Sequence, residues 1–407
     1  MFLRNTLYSI TRLNYKIWMV STSFVLLQFF LQLSSGVVIG SIMYEMNLSA
    51  LTAAMLSSSF YIIYTGLQIP VGILCDKNNP KILLTTTALI CGFGCLIFAS
   101  SHTLISLFIG RFLIGIGSAF AFVSLAHLVR RHYPINNFSM LLGTSETLGF
   151  LATVIGVIGM GKFITHWGWR TFLNLASVLA IIISYLCWVT IPSETNQKPI
   201  STKKHLSGLL EIVKNKFLWL NGMYLGLMFA IITVFGALWA VPFLQIKLNC
   251  NISKVSIINA LLFLGAAIGC PVFGVLSGLL AKRKPLIISS CLISSLILLA
   301  IIYLPTSNQY LIGFLMFMLG FMCCSYMLAY AISNELSPAN SLSTCTGFTN
   351  TLALITVPFL QPFVGYILET VSPDKIYSLS EYQLALINLP ICLVIAGILA
   401  SFLPERS

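Results

Sequence analysis

Gly72-Ile73-Leu74-Cys75-Asp76-Lys77-Asn78-Asn79-Pro80-Lys81 is a short polar break between two long apolar runs. It holds one acid, Asp76, and two lysines, Lys77 and Lys81. A second break starts in the same way 202 residues later, as Gly274-Val275-Leu276-Ser277-Gly278, and ends Lys282-Arg283-Lys284. That offset is half the chain. A charged connector between apolar runs, repeated at half length, points to a helical membrane protein with two similar halves.

Composition points the same way. Of 407 residues, 58% are hydrophobic and only 8% charged, with a mean hydropathy of +0.96. A soluble domain carries about 25% charged residues, so this chain lacks the polar surface to meet water on all sides. Its length suits helices of ~20 residues, each enough to cross a ~30 Å hydrocarbon layer. Twelve runs qualify, near 17–43, 50–74, 81–101, 104–129, 138–161, 170–192, 217–244, 255–279, 285–304, 309–333, 342–368 and 384–403. They are continuously apolar and do not alternate, and an open sheet edge cannot sit in lipid. The expected fold class is therefore all-α, with twelve transmembrane helices in two six-helix halves.

The positive charges set the orientation. With the N-terminus inside, 16 Lys and Arg fall in inner segments and five in outer ones. Both termini are then cytoplasmic, and the expected location is the inner membrane. Residues 193–216 form the longest inner segment, rich in Ser, Thr and Lys. They read as a linker between halves 1–192 and 217–407, with a surface helix from Ser207 to Lys216. The first 16 residues are basic and mixed, and the apolar run after them is too long for a cleavable signal core.

Several function classes are set aside. The net charge of +12 lies in the breaks between runs, without interleaved aromatics, so nucleic acid is not the expected partner. The 11 Cys show no CxxC pairs or Cys/His ligand spacing, which argues against a metal site or disulfide framework. No Ser/His/Asp set and no phosphate-binding loop is present. The expectation is no enzyme and no cofactor, with any energy drawn from a gradient.

Gly72, Leu74, Asp76, Lys77 and Lys81 resemble the loop 2–3 signature of the major facilitator superfamily. Arg111, Gly115 and Gly117 in the fourth run are similar to its second motif, and Trp167-Gly168-Trp169-Arg170 is a further frequent feature. Asn79, Pro80 and Gly278 depart from the pattern. The resemblance covers the whole chain. It implies a monomeric transporter working by alternating access, two halves rocking around a central site without a cofactor. It also implies that Asp76 locks the inner side shut with Arg130 or Lys77 nearby. A simple helix cap is the other reading of Asp76.

Arg111 and Glu146 are the charged residues deep within expected spans, each about 12 Å from a membrane face, from opposite sides. A charge at such depth costs about 2.5–3.5 kcal/mol or more and usually faces the bundle interior with a partner. Arg111 reads as a site for an anionic substrate group or a coupling relay, or as a structural ion-pair member. Glu146 lies within reach of Arg111 in depth, ~6 Å apart across a ~30 Å core. It reads as the proton-coupling group, or as an interfacial acid reaching headgroup water. Polar stripes at helical spacing mark helix faces turned from lipid: Ser21, Gln28, Gln32 and Ser35; Ser57, Tyr61, Tyr64 and Gln68; Tyr326, Tyr330 and Asn334; Thr346 and Asn350. Each set is cavity lining or helix–helix glue. The resemblance favours Gln28, Gln32, Tyr326 and Tyr330 over the second helix. Trp239, near the outer end of the seventh run, is either a lid on the outer mouth or an interfacial anchor.

The reading is a secondary transporter of a small polar, carboxylate-bearing solute such as an amino acid, coupled to protons. Drug or siderophore efflux is the alternative, and a non-transporting receptor or scaffold is the alternative from another class.

Overall fold

The computed structural model describes residues 2–33, 35–133, 135–193, 210–279, 283–337, 342–372 and 377–404, with side chains left aside at 2–13, 73, 76–77, 135–140, 277–279, 334, 342–343 and 346. No strand occurs among these residues. Span α1 comprises Phe2–Leu33 and Ser35–Met46, α2 is Ala50–Lys77, α3 is Pro80–Ala99 and α4 is Leu104–His132. The next helix, Ile135–Thr190, has 56 residues. Laid straight it would measure about 84 Å, far more than the ~30 Å hydrocarbon layer. It breaks at Gly168, where φ is 78° and ψ is 159°, a conformation essentially closed to any side chain. The pieces on either side are α5 and α6.

The second half follows the same plan. Span α7 is Lys216–Ala230, a π-helical segment Ile231–Trp239, then Ala240–Leu248. Span α8 is Ile252–Leu279 and α9 is Lys284–Tyr303. Span α10 is Gln309–Cys323, a 3-10 turn Cys324–Tyr326, then Met327–Leu336. Span α11 joins Leu342–Ile355 to Val357–Val371, and α12 joins Leu379–Leu386 to Asn388–Ser401. Helix boundaries repeat between halves. Helices α2 and α8 each have 28 residues and start 202 positions apart. Each follows an Asn in the left-handed conformation, Asn47 at φ 50° and Asn249 at φ 48°, again 202 apart.

Burial divides the chain as lipid requires. Helix α6 leaves Leu175, Val178, Leu179, Ile182 and Val189 exposed on its outer flank. Polar Ser177 and Ser184 on the same helix are buried and donate to the Gly92 and Thr85 carbonyl oxygens of α3, each at 2.8 Å. The glycines of α5 make close approaches to two different partners. Gly149 and Gly156 make room for the rings of Phe29 and Phe30 on α1, within the same half. Gly161 alone among them meets the second half, at Ser253 and Ser256.

The linker is seen only at its end. Residues 210–214 are helical, and Ile212 is fully buried against Leu218, Phe348 and Leu352. The expected helix from Ser207 thus docks its described part on the inner ends of α7 and α11, while residues 207–209 lie outside the described set.

The Trp-Gly-Trp-Arg motif ties down the outer end of the first half. The Trp169 indole donates to Glu45 Oε2 at 2.6 Å, and Arg170 forms an ion pair with the other Glu45 oxygen. Arg170 also donates to the Ser101 carbonyl oxygen at 3.0 Å and covers the Trp169 ring at 4.2 Å. The break at Gly168 lets both neighbours reach back to α1 and α3. Glu45 lies beyond the apolar run 17–43, and its carboxyl is held below the usual carboxylate range. The Trp169 hydrogen bond does most of this, burial opposes it, and Arg170 adds to it. A depressed folded-state value stabilises the fold above the unfolded value, about 4.3 for Glu, and that stability is lost as pH falls below it. Glu45→Gln is therefore expected to lower the thermal midpoint at pH 7, with the gap from wild type shrinking as the pH falls through the acid range. A pH series of melting curves in detergent checks this. A midpoint gap that stays the same as the pH falls would contradict it.

Candidate functional site

At their outer ends the two halves touch backbone to backbone. The Ser35 hydroxyl of α1 donates to the Ala237 carbonyl oxygen of α7 at 3.0 Å. A Cβ on Gly36 would lie 2.7 Å from Leu238 O and 2.9 Å from Ala237 O, so only glycine allows this approach. The Ala50 N–H of α2 donates to the Tyr377 hydroxyl at 3.1 Å, and Ser253 of α8 donates to Gly161 O of α5 at 2.9 Å. These contacts close the end of the bundle that the charge bias assigns to the outside.

The π-helical segment of α7 lies at this closure. A π-helix shifts the backbone pairing by one residue and is common at functional sites. Side chains from three other helices bond to its carbonyls. Gln361 of α11 donates to Thr233 O at 2.8 Å, Asn259 of α8 to Gly236 O at 2.9 Å, and Ser35 of α1 to Ala237 O. Gln361 also accepts from Ser58 of α2 at 3.1 Å, so one side chain links both halves to the segment. Nothing in the apolar stretch Ile231–Trp239 announced it. Gln361, a buried amide inside an apolar run, was the available signal. Trp239 does not lie over an open mouth in this conformation. Its ring is buried within the second half, edge-on to Tyr382, and it is the neighbouring backbone that meets α1.

A polar chain crosses between the halves further towards the inner side. Tyr330 of α10 donates to Asn350 Oδ1 at 3.1 Å. Asn350 of α11 donates to Gln68 Oε1 of α2 at 2.9 Å, and Gln68 donates to Tyr64 O at 3.2 Å. Glu146 belongs to this group, within electrostatic reach of Tyr64, Tyr326 and Tyr330. Its Oε2 is buried without a hydrogen-bond partner. Tyr326 sits in the 3-10 turn of α10, its hydroxyl 3.4 Å from Cys270 Sγ and its ring edge-on to Phe229 at 5.0 Å. Gln68 and Tyr64 of the second helix thus join the set, although the family resemblance favoured the first and tenth helices over the second.

Gln28 and Gln32 are buried and hydrogen-bonded to each other, leaving Gln28 Oε1 without a partner. Tyr61 donates to the Gln32 carbonyl oxygen at 3.4 Å. They therefore link α1 to α2 and have one acceptor to spare.

Arg111 and Glu146 do not meet. Arg111 is buried inside the first half, donating to the Leu31 carbonyl oxygen at 3.2 Å, with Cζ 4.9 Å from the face of Phe60. The ion pairs among the described residues are Arg170–Glu45 and Arg283–Glu335. Depth along the membrane normal allowed the pair; rotation about the helix axes separates them.

At the inner side, Gly72 lies in α2 and Arg130 is exposed at the end of α4. The Asp76 and Lys77 side chains, and with them the expected lock, lie outside the described set. No described His, Cys, Asp and Glu form a group of three or more able to hold a metal.

The family profile of the Major Facilitator Superfamily matches residues 19–357. The chain is 22% identical over 365 residues, 79% of its length and 81% of the other's, to the "Probable galactarate/D-glucarate transporter GarP" of Escherichia coli. It is 25% identical over 256 residues to the "Multidrug resistance protein MdtG" of Salmonella arizonae, 61% of each chain. Other relatives are matched over 34% to 41% of their own length. Among solved structures, a bacterial homologue of the human lysosomal transporter Spinster, inward-facing and occupied, superposes with a TM-score of 0.77, covering 98% of both chains at 15% identity.

Proposed function

The chain belongs to the Major Facilitator Superfamily and is a multi-pass membrane transporter, and from that premise we propose that it moves a small polar solute by alternating access, with Glu146 carrying the coupling proton. The observation that carries this is the unpartnered Glu146 carboxyl oxygen beside the polar chain Tyr330–Asn350–Gln68 that joins the halves. A buried carboxylate without a cation is costly, and a bound proton removes that cost. Opening the inner ends would part Gln68 from Asn350 and free both amides for a solute. The outer contacts, with the Gln68–Asn350 bridge also made towards the inner side, support an occluded state for this conformation.

The central group offers hydroxyls and amides as well as the carboxyl, which suits a hydroxylated solute. Similarity to a galactarate/D-glucarate transporter supports a carboxylate-bearing one. Arg111 no longer does, since it lies away from the central group. Similarity to a multidrug resistance protein supports efflux as the second reading. We place the protein in the inner membrane with both termini cytoplasmic, on the charge bias of its loops, and as a monomer on its family membership.

Proteoliposomes preloaded with galactarate, D-glucarate, amino acids or nucleosides separate these readings. Counterflow of a labelled hexarate or amino acid, accompanied by proton movement reported by an internal pH dye, is the expected result. Exchange limited to cationic drugs would select efflux. No exchange with any solute would leave a non-transporting role.

A further inference from the structure

Arg111 is 5% exposed, seven residues into α4. A guanidinium has five N–H donors in a fixed fork and is always charged in proteins. Here Nη1 bonds to Leu31 O, while Nε and Nη2 are buried with no hydrogen-bond partner. No described carboxylate pairs with it: both ion pairs among the described residues belong to other arginines. The Phe60 face offers only a weak share of the missing negative charge. An unpaired buried charge is the expensive state of such a group.

Beside the guanidinium lies a small cavity. Its walls are Leu31, Ser35 and Val38 of α1, Phe98 of α3, Ile114 of α4 and Phe172 of α6, with Arg111 itself. The space is sufficient for one body of about the size of a water molecule. A water would satisfy donors but leave the charge. We propose that this cavity, with a small outward shift of its side-chain walls, is a binding site for a single small inorganic anion held by the free N–H groups of Arg111, chloride being the smallest halide that sheds its water readily enough for walls that are mostly apolar. The walls are otherwise apolar, so a strongly hydrated anion is disfavoured, and sulfate or phosphate is too large. Ser35 sits in the wall and also donates across to Ala237 O. The bound anion therefore braces the part of α1 that closes the outer side. The site lies wholly in the first half and is separate from Glu146, so it stands whether or not the proton role does.

The test uses the purified full-length protein in detergent, exchanged into sodium gluconate and titrated with radiolabelled chloride. Wild type should retain chloride saturably, near one per chain, and its thermal midpoint should rise with chloride as for any ligand of the folded state. Bromide should compete and sulfate should not. Arg111→Gln should abolish retention. Because that change also removes the bond to Leu31, Val38→Leu serves as a second variant: it keeps the guanidinium, fills the cavity and should weaken chloride binding by about tenfold or more. Absence of saturable chloride in wild type would show that the cavity holds water alone and would overturn the proposal. Unchanged retention in both variants would place the ion elsewhere and overturn it equally.

Discussion

Glu146→Gln is expected to reduce solute-driven proton movement in proteoliposomes to the level of empty liposomes, while leaving the protein folded. The carboxyl oxygen that lacks a hydrogen-bond partner becomes part of an amide of nearly the same size, so the volume filled at this position is kept. What is lost is the capacity to take up and release a proton. Counterflow, which needs solute exchange but no net proton transfer, should survive in part and lose its dependence on pH. That split distinguishes a proton carrier from a residue that merely holds the solute, whose removal would suppress both assays together. The assay pairs the internal pH dye with labelled-solute exchange on the same vesicles. Proton movement in Glu146→Gln equal to wild type would remove the coupling role.

The second large effect is expected at Gly36. A side chain there meets the Leu238 and Ala237 carbonyl oxygens at 2.7 Å and 2.9 Å, and both are backbone atoms that cannot swing away. Overpacking of this kind costs about 1–3 kcal/mol, and it is paid only in the conformation where α1 and α7 touch. Gly36→Val should therefore shift the balance between outward- and inward-facing states about 5–150-fold towards the outward-facing one. Net transport should fall accordingly, and a thiol introduced at position 35 should react faster with an impermeant reagent added outside. If accessibility at that position does not change, the outer contact is not a gate. Its effect on melting should be small, because each half keeps its own packing.

The membrane fold was legible because lipid imposes long apolar runs. The repeat showed in one pair of loops, and the helix boundaries of α2 and α8 follow the same 202-residue offset. The turn at Gly168 was visible as a motif, but its purpose was not: Glu45, the partner of Trp169 and Arg170, lies more than 120 residues away and carries no local signal. Depth along a helix can be counted from sequence, and Arg111 and the Oε2 of Glu146 are both buried inside their helices' spans. Rotation about the axis cannot be counted across helices, and that is why their pairing fails; Gln68 was ranked low because the family resemblance put the first and tenth helices ahead of the second. The π-helical segment in α7 is stabilised by Gln361, Asn259 and Ser35 from three other helices. Its own residues, Ile231–Trp239, read as an ordinary apolar helix. Lys247 is a smaller case of the same kind. It reads as an outer-loop charge, yet it is buried and caps α9 through the Leu304 and Ile302 carbonyl oxygens at 2.8 Å and 3.3 Å.

The most direct measurement is of two distances across the molecule during transport. Spin labels at Tyr44 and Tyr310, both fully open to solvent at outer helix ends, report the outer side, and labels at Asn78 and Lys214 report the inner side. In nanodiscs, a change of pH or addition of a transported solute should lengthen the outer distance while shortening the inner one. Two distances that stay fixed, or that grow and shrink together, would contradict two halves rocking about a central site.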